Sequence, residues 1–396
     1  MIFVPNLTRN LTLALLLIAL SPSISHADAP ADCYDPLAAP VYPTPPNVAS
    51  VNSQAATVRF LNMTTFGANA RDINYLIKLP FQDWVTEQMA MKASCHLAVL
   101  NQTQNNSARE NRIEAWFRLA TTAPDQLRQR VAFALSEIFV VSDVGSGIPT
   151  NAMAVYYDVL VRNAFGNFRD LLEQVTLSPA MGKYLSTLHN QRADRNLGIR
   201  ADENYAREVM QLFTIGLVQL DPYGNPLLQD SATIPTYNQT DVENAAKVLT
   251  GWSLSNSVSF FDGDNWRNPM KSFESYHDRG AKTILDNTPV PAKGSAASDL
   301  KILLDTLFNH PNVGPFIGRR LIQRLVTSNP SPEYIQRVAA KFNDNGNGVR
   351  GDMKAVISAI LLDKEALQGI KANPNFGKLR EPLLTLTHLW RAFNGQ

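Results

Sequence analysis

The sequence has almost no net charge, few histidines and only two cysteines, and each scarcity narrows the possible functions. Lysine and arginine together number 36 against 35 for aspartate and glutamate, which leaves a formal net charge of +1. A chain this close to neutral has no field that would steer it toward nucleic acid or toward an anionic membrane surface. We therefore set nucleic acid aside as a partner.

Standard catalytic and metal-binding signatures are also missing. The chain has no Walker loop, no GxGxxG after a predicted strand, no HExxH and no GxSxG. Its six histidines, at positions 26, 96, 189, 277, 310 and 388, are scattered without metal-ligand spacing. Residues 343–348 superficially resemble a calcium loop, but Lys354 stands where an EF-hand requires a bidentate glutamate. We interpret that run as an interhelical turn.

Long apolar runs are confined to the N-terminus. Residues 11–20 are apolar apart from Thr12, and Ser25-His26-Ala27 supplies small residues before a cut after Ala27. This is the plan of a secretory signal peptide, and the run is too short to span a bilayer, which needs about 20 residues. We expect residues 1–27 to be removed and the mature protein to be exported, periplasmic or secreted, without an integral membrane segment.

The two cysteines are Cys33 and Cys95. In an oxidising compartment such a pair forms a disulfide, which would tie the N-terminal arm to the first helical region. The alternative is two unrelated thiols. Neither cysteine lies in a CxxC or CxxCH context, so the sequence gives little support to redox chemistry or covalent haem attachment.

The composition, 45% hydrophobic and 18% charged, suits a globular protein with a large core. Residues 28–54 are rich in proline and predict an extended arm. From residue 55 to residue 396 the pattern predicts a single domain of successive helices, which include Val313–Val326, Pro332–Phe342 and Asp352–Leu362. We therefore expect an all-α, multi-helix globular domain with one small β-hairpin insertion at about residues 253–290.

Local sequence signals predict where several helices and strands begin or end. Asp125 is the predicted N-cap of a long helix through Val141. Arg128 and Arg130 at the start of this helix oppose its dipole, and we expect them to pair with carboxylates. Thr240 and Glu243 form a predicted capping box, and Gly251 supplies the stop of that helix. Asp278-Arg279-Gly280 predicts a hairpin turn between strands near residues 271–276 and 281–285.

The stretch from Ala201 to Trp252 contains the most informative helix. At about 100° per residue, its apolar and hydrogen-bonding side chains fall on opposite arcs. The apolar arc consists of Tyr205, Ala206, Val209, Met210, Leu212 and Phe213, and the polar arc of Glu203, Asn204, Arg207, Glu208, Gln211 and Thr214. Spacings of four residues bring Glu203 to Arg207 and Asn204 to Glu208. A carboxylate beside arginine stays ionised, which suits binding or metal ligation, whereas a solvated, salt-bridged face is the structural alternative.

A second candidate site combines His277, Asp278 and Lys282. An imidazole beside a carboxylate at a turn can act as a base or as a metal ligand. The structural alternative is turn chemistry, because Asp278 and Gly280 suit a turn and His277 can serve as a hydrogen-bond donor.

Several separate segments, in this order, resemble the bacterial family of domain of unknown function 1800 (DUF1800). Together they cover about residues 55–393. The matching segments are Arg59-Phe60-Leu61, Phe66-Gly67, residues 125–136, Ser178-Pro179-Ala180-Met181, residues 203–208, Asp241-Val242, Thr250-Gly251-Trp252, His277-Asp278, Lys282 and residues 378–382.

The resemblance implies export and a mostly helical architecture, but it implies no reaction, because the family's activity is unknown. Members are often encoded beside a family that resembles the alkaline phosphatase superfamily, which implies a secreted hydrolase as partner. The signature residues of the family coincide with both candidate sites, and they add Asp241 and Trp252, which capping and packing otherwise explain. This chain departs from the pattern at Asp202, where proline is usual, and the C-terminal part of the family pattern is expected to be missing.

Two function hypotheses follow. In the first, the protein is a binding or accessory protein for a secreted partner, and its site lies where the polar face of residues 203–211 meets the 277–282 turn. An exposed apolar patch would come from the aromatic-rich segment 253–276. In the second, it is an exported hydrolase with a divalent metal as candidate cofactor. Glu203 or Glu208 would then be metal ligand or base, His277 with Asp278 the acid/base pair or ligand, and Arg207 and Lys282 the anion anchors.

Overall fold

Helices are the dominant elements of this protein, as the sequence predicts. The computed structural model describes residues 33–34, 43–103 and 105–395, and the predicted signal peptide over residues 1–27 lies outside them. The helices are α1 (Gln54–Thr64), α2 (Ala70–Leu76), α3 (Phe81–Ala90), α4 (His96–Leu100), α5 (Arg109–Thr122), α6 (Gln126–Ser136), α7 (Thr150–Asn163), α8 (Phe168–Thr176), α9 (Pro179–Tyr184), α10 (Asn204–Gln211), α11 (Gln239–Val248), α12 (Ala296–Asn309), α13 (Val313–Leu325), α14 (Pro332–Asn343), α15 (Met353–Leu361), α16 (Lys364–Gln368) and α17 (Pro382–Ala392). In the described part of the chain, no helix is both long enough and apolar enough to cross a membrane.

Helix α6 lies at the centre of the core. Leu127, Val131 and Leu135 are fully buried, and the helix packs against α7 and α13. A helix that is apolar most of the way round is expected to be buried in this way. It ends at Ser136 and not at Val141 as predicted, because the Leu135 carbonyl accepts the amides of both residue 138 and residue 139, which tightens the last turn.

The described residues contain four short two-stranded sheets. A small hairpin is present within the predicted region of about residues 253–290, but the predicted pairing of strands across residues 278–280 is wrong. The strands are β1 (Cys33–Tyr34), β2 (Ala93–Ser94), β3 (Leu228–Gln229), β4 (Ala232–Thr233), β5 (Trp252–Ser253), β6 (Lys271–Ser272), β7 (Lys282–Ile284) and β8 (Thr288–Val290). β6 pairs antiparallel with β5, and β7 pairs antiparallel with β8, so the turn at 278–280 joins two different sheets. The β7–β8 loop contains Asp286 and Asn287, both with left-handed backbones, a conformation that Asp and Asn tolerate.

The predicted disulfide is confirmed. Cys33 is bonded to Cys95, and the bond adjoins the parallel pairing of β1 with β2. The described end of the arm also packs on the domain, since the Val51 amide donates to the Ile77 carbonyl at 2.9 Å. The N-terminal segment is thus held at two places.

The capping box of α11 lies two residues earlier than predicted. Asn238 accepts a hydrogen bond from the Asp241 amide, and the Asp241 carboxylate accepts one from the Asn238 amide. Asp241, a predicted binding residue, therefore caps a helix in this structure. Gly251 has φ +90°, and a Cβ there would approach His277 to 3.0 Å, so glycine is required both for the turn and for the close contact.

A buried histidine follows the disulfide at the start of α4. His96 is 3% exposed, and its Nε2 donates to the side-chain oxygen of Gln129 at 3.0 Å. Burial lowers the pKa of His96 from 6.5 to about 4, because the charged imidazolium would lose its hydration. The ring is therefore held neutral above that pH.

This pKa predicts an acid-sensitive contribution to stability. The folded-state pKa lies below the unfolded value, so the contribution is complete above pH 6.5 and is lost as the pH falls through about 4. The free energy of unfolding is expected to fall by about 3 kcal/mol across this window. Urea titrations of wild type and His96→Gln should show a slope in wild type that is absent from the variant. Identical slopes would contradict the prediction.

Candidate functional site

Helix α10 has the two faces that the sequence predicts. Tyr205, Ala206, Val209 and Met210 are buried. Leu212, predicted in the apolar arc, is instead 38% exposed, because the helix ends before it.

The charged side chains on the polar face of α10 interact mainly with each other and with Gln239. Arg207 Nη2 lies 3.0 Å from Glu203 Oε2, and Gln239 at the start of α11 both donates to Glu203 at 3.0 Å and accepts from Arg207 at 3.2 Å. The side chains of Arg207 and Glu203 are 41% and 35% exposed, so this ion pair is solvated and worth under about 1 kcal/mol. Asn204 donates to Ser186.

Two atoms on this face remain without partners among the described residues. Glu208 Oε2 and the Tyr237 hydroxyl are both inaccessible to solvent and make no hydrogen bond. Burial raises the pKa of Tyr237, Arg207 lowers it and Glu208 raises it, so all three groups lie close enough to interact. Gln211, three residues after Glu208, is half-buried. In the described part of the chain, no cluster of three or more His, Cys, Asp or Glu residues is arranged to hold a metal ion.

The second predicted site is a buried hydrogen-bond network centred on Asp299. His277 is fully buried, and its Nε2 lies 3.2 Å from Asp299 Oδ2 while its Nδ1 lies 3.0 Å from the Thr250 carbonyl. Both ring nitrogens are therefore engaged. Asp299 belongs to the first turn of α12, and the sequence reading did not connect it with His277.

The ammonium group of Lys282 uses all of its hydrogen-bond donors in the same network. It donates to the carbonyls of Asp278 and Gly280 at 2.7 and 2.9 Å and to Asp299 Oδ2 at 3.1 Å. An ammonium has three donors, and all three are used. Asp278 in turn accepts the Gly280 amide. These contacts join the end of α11, the 278–280 turn and the start of α12, which is a structural role.

Trp252, the remaining predicted binding residue, lies in β5 and is 5% exposed. Its indole nitrogen has no hydrogen-bond partner among the described residues. In the aromatic-rich segment 253–276, Phe261 is exposed, whereas Phe260 is buried and stacks on Tyr276 with ring centroids 4.0 Å apart.

The sequence reading missed a cavity of about 770 Å³ between the two ends of the domain. Its walls come from α1, α6, the end of α13, the segment before α17, and α17 itself. The lining residues are Gln54, Ala55, Val58, Arg59, Asn62, Met63, Arg130, Leu325, Val326, Phe376, Lys378, Arg380 and Leu384. We call it the cationic cavity, because four of these residues are Arg or Lys and none of the described lining residues is acidic.

Arg130 is the most unusual group in this cavity. It is 2% exposed, and its Nη2 donates to the Arg324 carbonyl at 2.6 Å, but its Nε and Nη1 are buried without a partner among the described residues. The prediction that Arg130 pairs with a carboxylate is therefore wrong. Its helix neighbour Arg128, in contrast, lies 3.8 Å from Asp125.

Burial makes the charged form of the Arg130 guanidinium less favourable. Desolvation lowers its pKa to about 10, an effect that Glu137 and Glu381 partly oppose. An unsatisfied buried donor costs about 1–3 kcal/mol, and more when the group is charged. Because Arg130 also lines the cavity, an anion bound there would lie next to this guanidinium, and hydrogen bonds from a charged donor are stronger than neutral ones.

The other three cations are only partly satisfied by the protein. Lys378 donates to the Gln323 carbonyl at 3.0 Å and to Glu381 at 2.8 Å. Arg380 donates to the Asn62 carbonyl, and Arg59, which is exposed, donates to the Leu367 carbonyl. Among the four, only Lys378 has a carboxylate partner within the described part of the chain.

The family described as "Protein of unknown function (DUF1800)" matches residues 59–396, nearly the whole chain. The chain belongs to the DUF1800 family. No curated protein and no solved structure is similar enough to match it.

All four cations of the cavity lie within the part of this DUF1800 chain that matches the family. They also belong to segments that carry the resemblance in sequence, namely residues 59–61, 125–136 and 378–382. The structure therefore brings together, around one cavity, family segments from opposite ends of the chain.

Proposed function

We propose that this DUF1800 chain is an exported binding protein that holds an anionic ligand in the cationic cavity. The observation that carries the proposal is Arg130, a buried guanidinium whose Nε and Nη1 have no hydrogen-bond acceptor among the described residues. Cavities of about 300–1,000 Å³ are typical of small-molecule sites, and this one falls in that range. The disulfide is compatible with export, since such bonds persist in oxidising compartments.

The hydrolase hypothesis has less support from the same geometry. Both ring nitrogens of His277 and all three donors of Lys282 are engaged inside the protein. A substrate would have to displace these contacts. Of the predicted site residues, Glu208 and Trp252 each have a buried polar atom without a hydrogen-bond partner among the described residues, and the Tyr237 hydroxyl, which was not predicted, is a third such atom.

The proposal retains a secreted hydrolase as partner, on the ground of the family resemblance. A natural test is affinity capture with the exported chain from its own periplasmic or culture fraction. Recovery of a protein of the alkaline phosphatase superfamily would support this part, and its absence from a capture that retains other binders would count against it.

The binding proposal is tested with inorganic sulfate as probe. Thermal unfolding is followed in increasing sodium sulfate, with sodium chloride at equal ionic strength as reference. Wild type should gain a saturable stabilisation, because a ligand that binds only the folded state raises its free energy of unfolding. Arg130→Met should weaken sulfate binding about 10- to 100-fold, as expected for loss of charge-assisted hydrogen bonds.

Three further variants keep the test decisive. Arg320→Met removes a positive charge outside the cavity and should bind like wild type, since Arg320 stacks on Phe316 and does not line the cavity. Arg59→Met also removes a cation of the cavity, but at an exposed position. It therefore tests the loss of a cavity charge in case Arg130→Met fails to fold. Arg130→Lys keeps the charge but loses guanidinium donors, and it should bind with intermediate affinity. Equal sulfate binding by wild type and Arg130→Met, or no saturable effect in either, would overturn the proposal.

A further inference from the structure

We infer that the ligand of the cationic cavity is an anionic amphiphile, with one compact oxyanion head and an apolar body. This inference rests on the proposed function and adds the chemical class of the ligand. It follows from the composition of the walls, the size of the cavity and the distribution of its charges.

The walls of the cavity are mostly apolar. Seven of its lining residues carry hydrocarbon or thioether side chains: Ala55, Val58, Met63, Leu325, Val326, Phe376 and Leu384. Of these, Met63, Leu325, Val326 and Leu384 belong to the buried hydrophobic residues of the fold. A site for a fully hydrated or wholly polar anion has no use for such walls, whereas a hydrocarbon body gains about 0.8 kcal/mol for each methylene that it buries against them.

The cavity is too large for an inorganic anion alone. A water molecule occupies about 30 Å³ of liquid, so about 770 Å³ corresponds to roughly 25 water molecules. A sulfate or phosphate ion on Arg130 would leave most of this space and most of the apolar wall in contact with water. A ligand with an extended body would cover both.

The charges favour a single head group. Lys378 already has Glu381 at 2.8 Å, and the guanidinium groups of Arg59 and Arg380 each donate to a backbone carbonyl. Among the four cations of the cavity, only Arg130 has buried donors without acceptors in the described residues. One oxyanion beside Arg130 would therefore meet the least satisfied guanidinium, while the other cations raise the local positive potential.

The experiment uses isothermal titration of the mature chain with four probes below their micelle-forming concentrations. Octanoate has the proposed head and body, acetate has the head alone, octylammonium has the body with the opposite charge, and sulfate is the inorganic reference. Octanoate should bind at least tenfold more tightly than acetate, because burial of two methylenes is already worth about tenfold. Octylammonium should not bind measurably.

Two variants separate the head from the body. Arg130→Met should weaken octanoate by at least tenfold. Phe376→Ser, at a half-buried wall position, should weaken octanoate severalfold and leave sulfate unchanged. If either residue had a purely structural role, its substitution would not affect octanoate and sulfate differently in this way.

The outcomes separate this inference from the proposed function. If acetate or sulfate binds as tightly as octanoate through Arg130, the cavity takes a small anion, so the amphiphile is wrong and the binding function stands. If octanoate and octylammonium bind equally, with no effect of Arg130→Met, the cavity is a general apolar site and both proposals fail. If no probe binds, both also fail.

Discussion

Replacing Asp299 by alanine is expected to lower the free energy of unfolding by about 3–5 kcal/mol, because it removes the nearer carboxylate from a buried ammonium and leaves only Asp278 at 3.5 Å. Asp299 and Lys282 are each 1% exposed at their side chains and lie 3.1 Å apart. The same carboxylate also accepts from His277, so one substitution disrupts two buried contacts. Chemical denaturation of wild type and Asp299→Ala measures the difference directly.

The matched control is an ion pair on the same helix. Lys301 pairs with Asp305 four residues later, and its side chain is 72% exposed. Lys301→Met should therefore change the free energy of unfolding by less than about 1 kcal/mol. An Asp299→Ala variant that unfolds within 1 kcal/mol of wild type would show that the network contributes little, and it would reopen His277 and Lys282 as functional groups.

Removing the disulfide is expected to cost about 4 kcal/mol. Cys33 and Cys95 are separated by 62 residues, and in the chain-entropy model a closed loop of this length restricts the unfolded state by that amount. The measurement compares urea unfolding of wild type, wild type in reductant, and the Cys33→Ser/Cys95→Ser double variant.

Two comparisons make this prediction specific. Reductant should destabilise wild type but have no effect on the double variant, since that variant has no bond to reduce. Unfolding midpoints that coincide for oxidised and reduced wild type would contradict the prediction. Serine at the buried position 95 adds its own cost, which is read from the difference between the double variant and reduced wild type.

Helices were predictable from the sequence where local signals set their limits. Periodicity and caps predicted Val313–Val326, Pro332–Phe342 and Asp352–Leu362, and the structure ends these three helices within about one residue of those limits. Pro332 at a helix start and Asp352 as N-cap act within one turn, so no distant contact is needed to read them.

Strand pairing and the cationic cavity were not predictable in the same way. Asp278 accepts the Gly280 amide through its side chain, which is the local contact expected of turn residues, but the flanking strands pair with β5 and β8, which no local pattern specifies. The position of Arg130 on its helix does not specify what packs opposite it, so the expectation of an ion pair has no local test. The one available signal was a charged residue on a helix that is otherwise apolar most of the way round.

The position of the cationic cavity also fixes the order in which it can form. Arg380 donates to the Asn62 carbonyl across 318 residues, and Arg391 donates to the Gly67 carbonyl across 324 residues. These separations are very long, so closing such contacts carries a high loop-closure cost. During synthesis, the core around α6 is complete in sequence long before Lys378 and Arg380 exist. Ligand binding would therefore begin only when the two ends of the domain have met, so that a bound anion marks a finished fold.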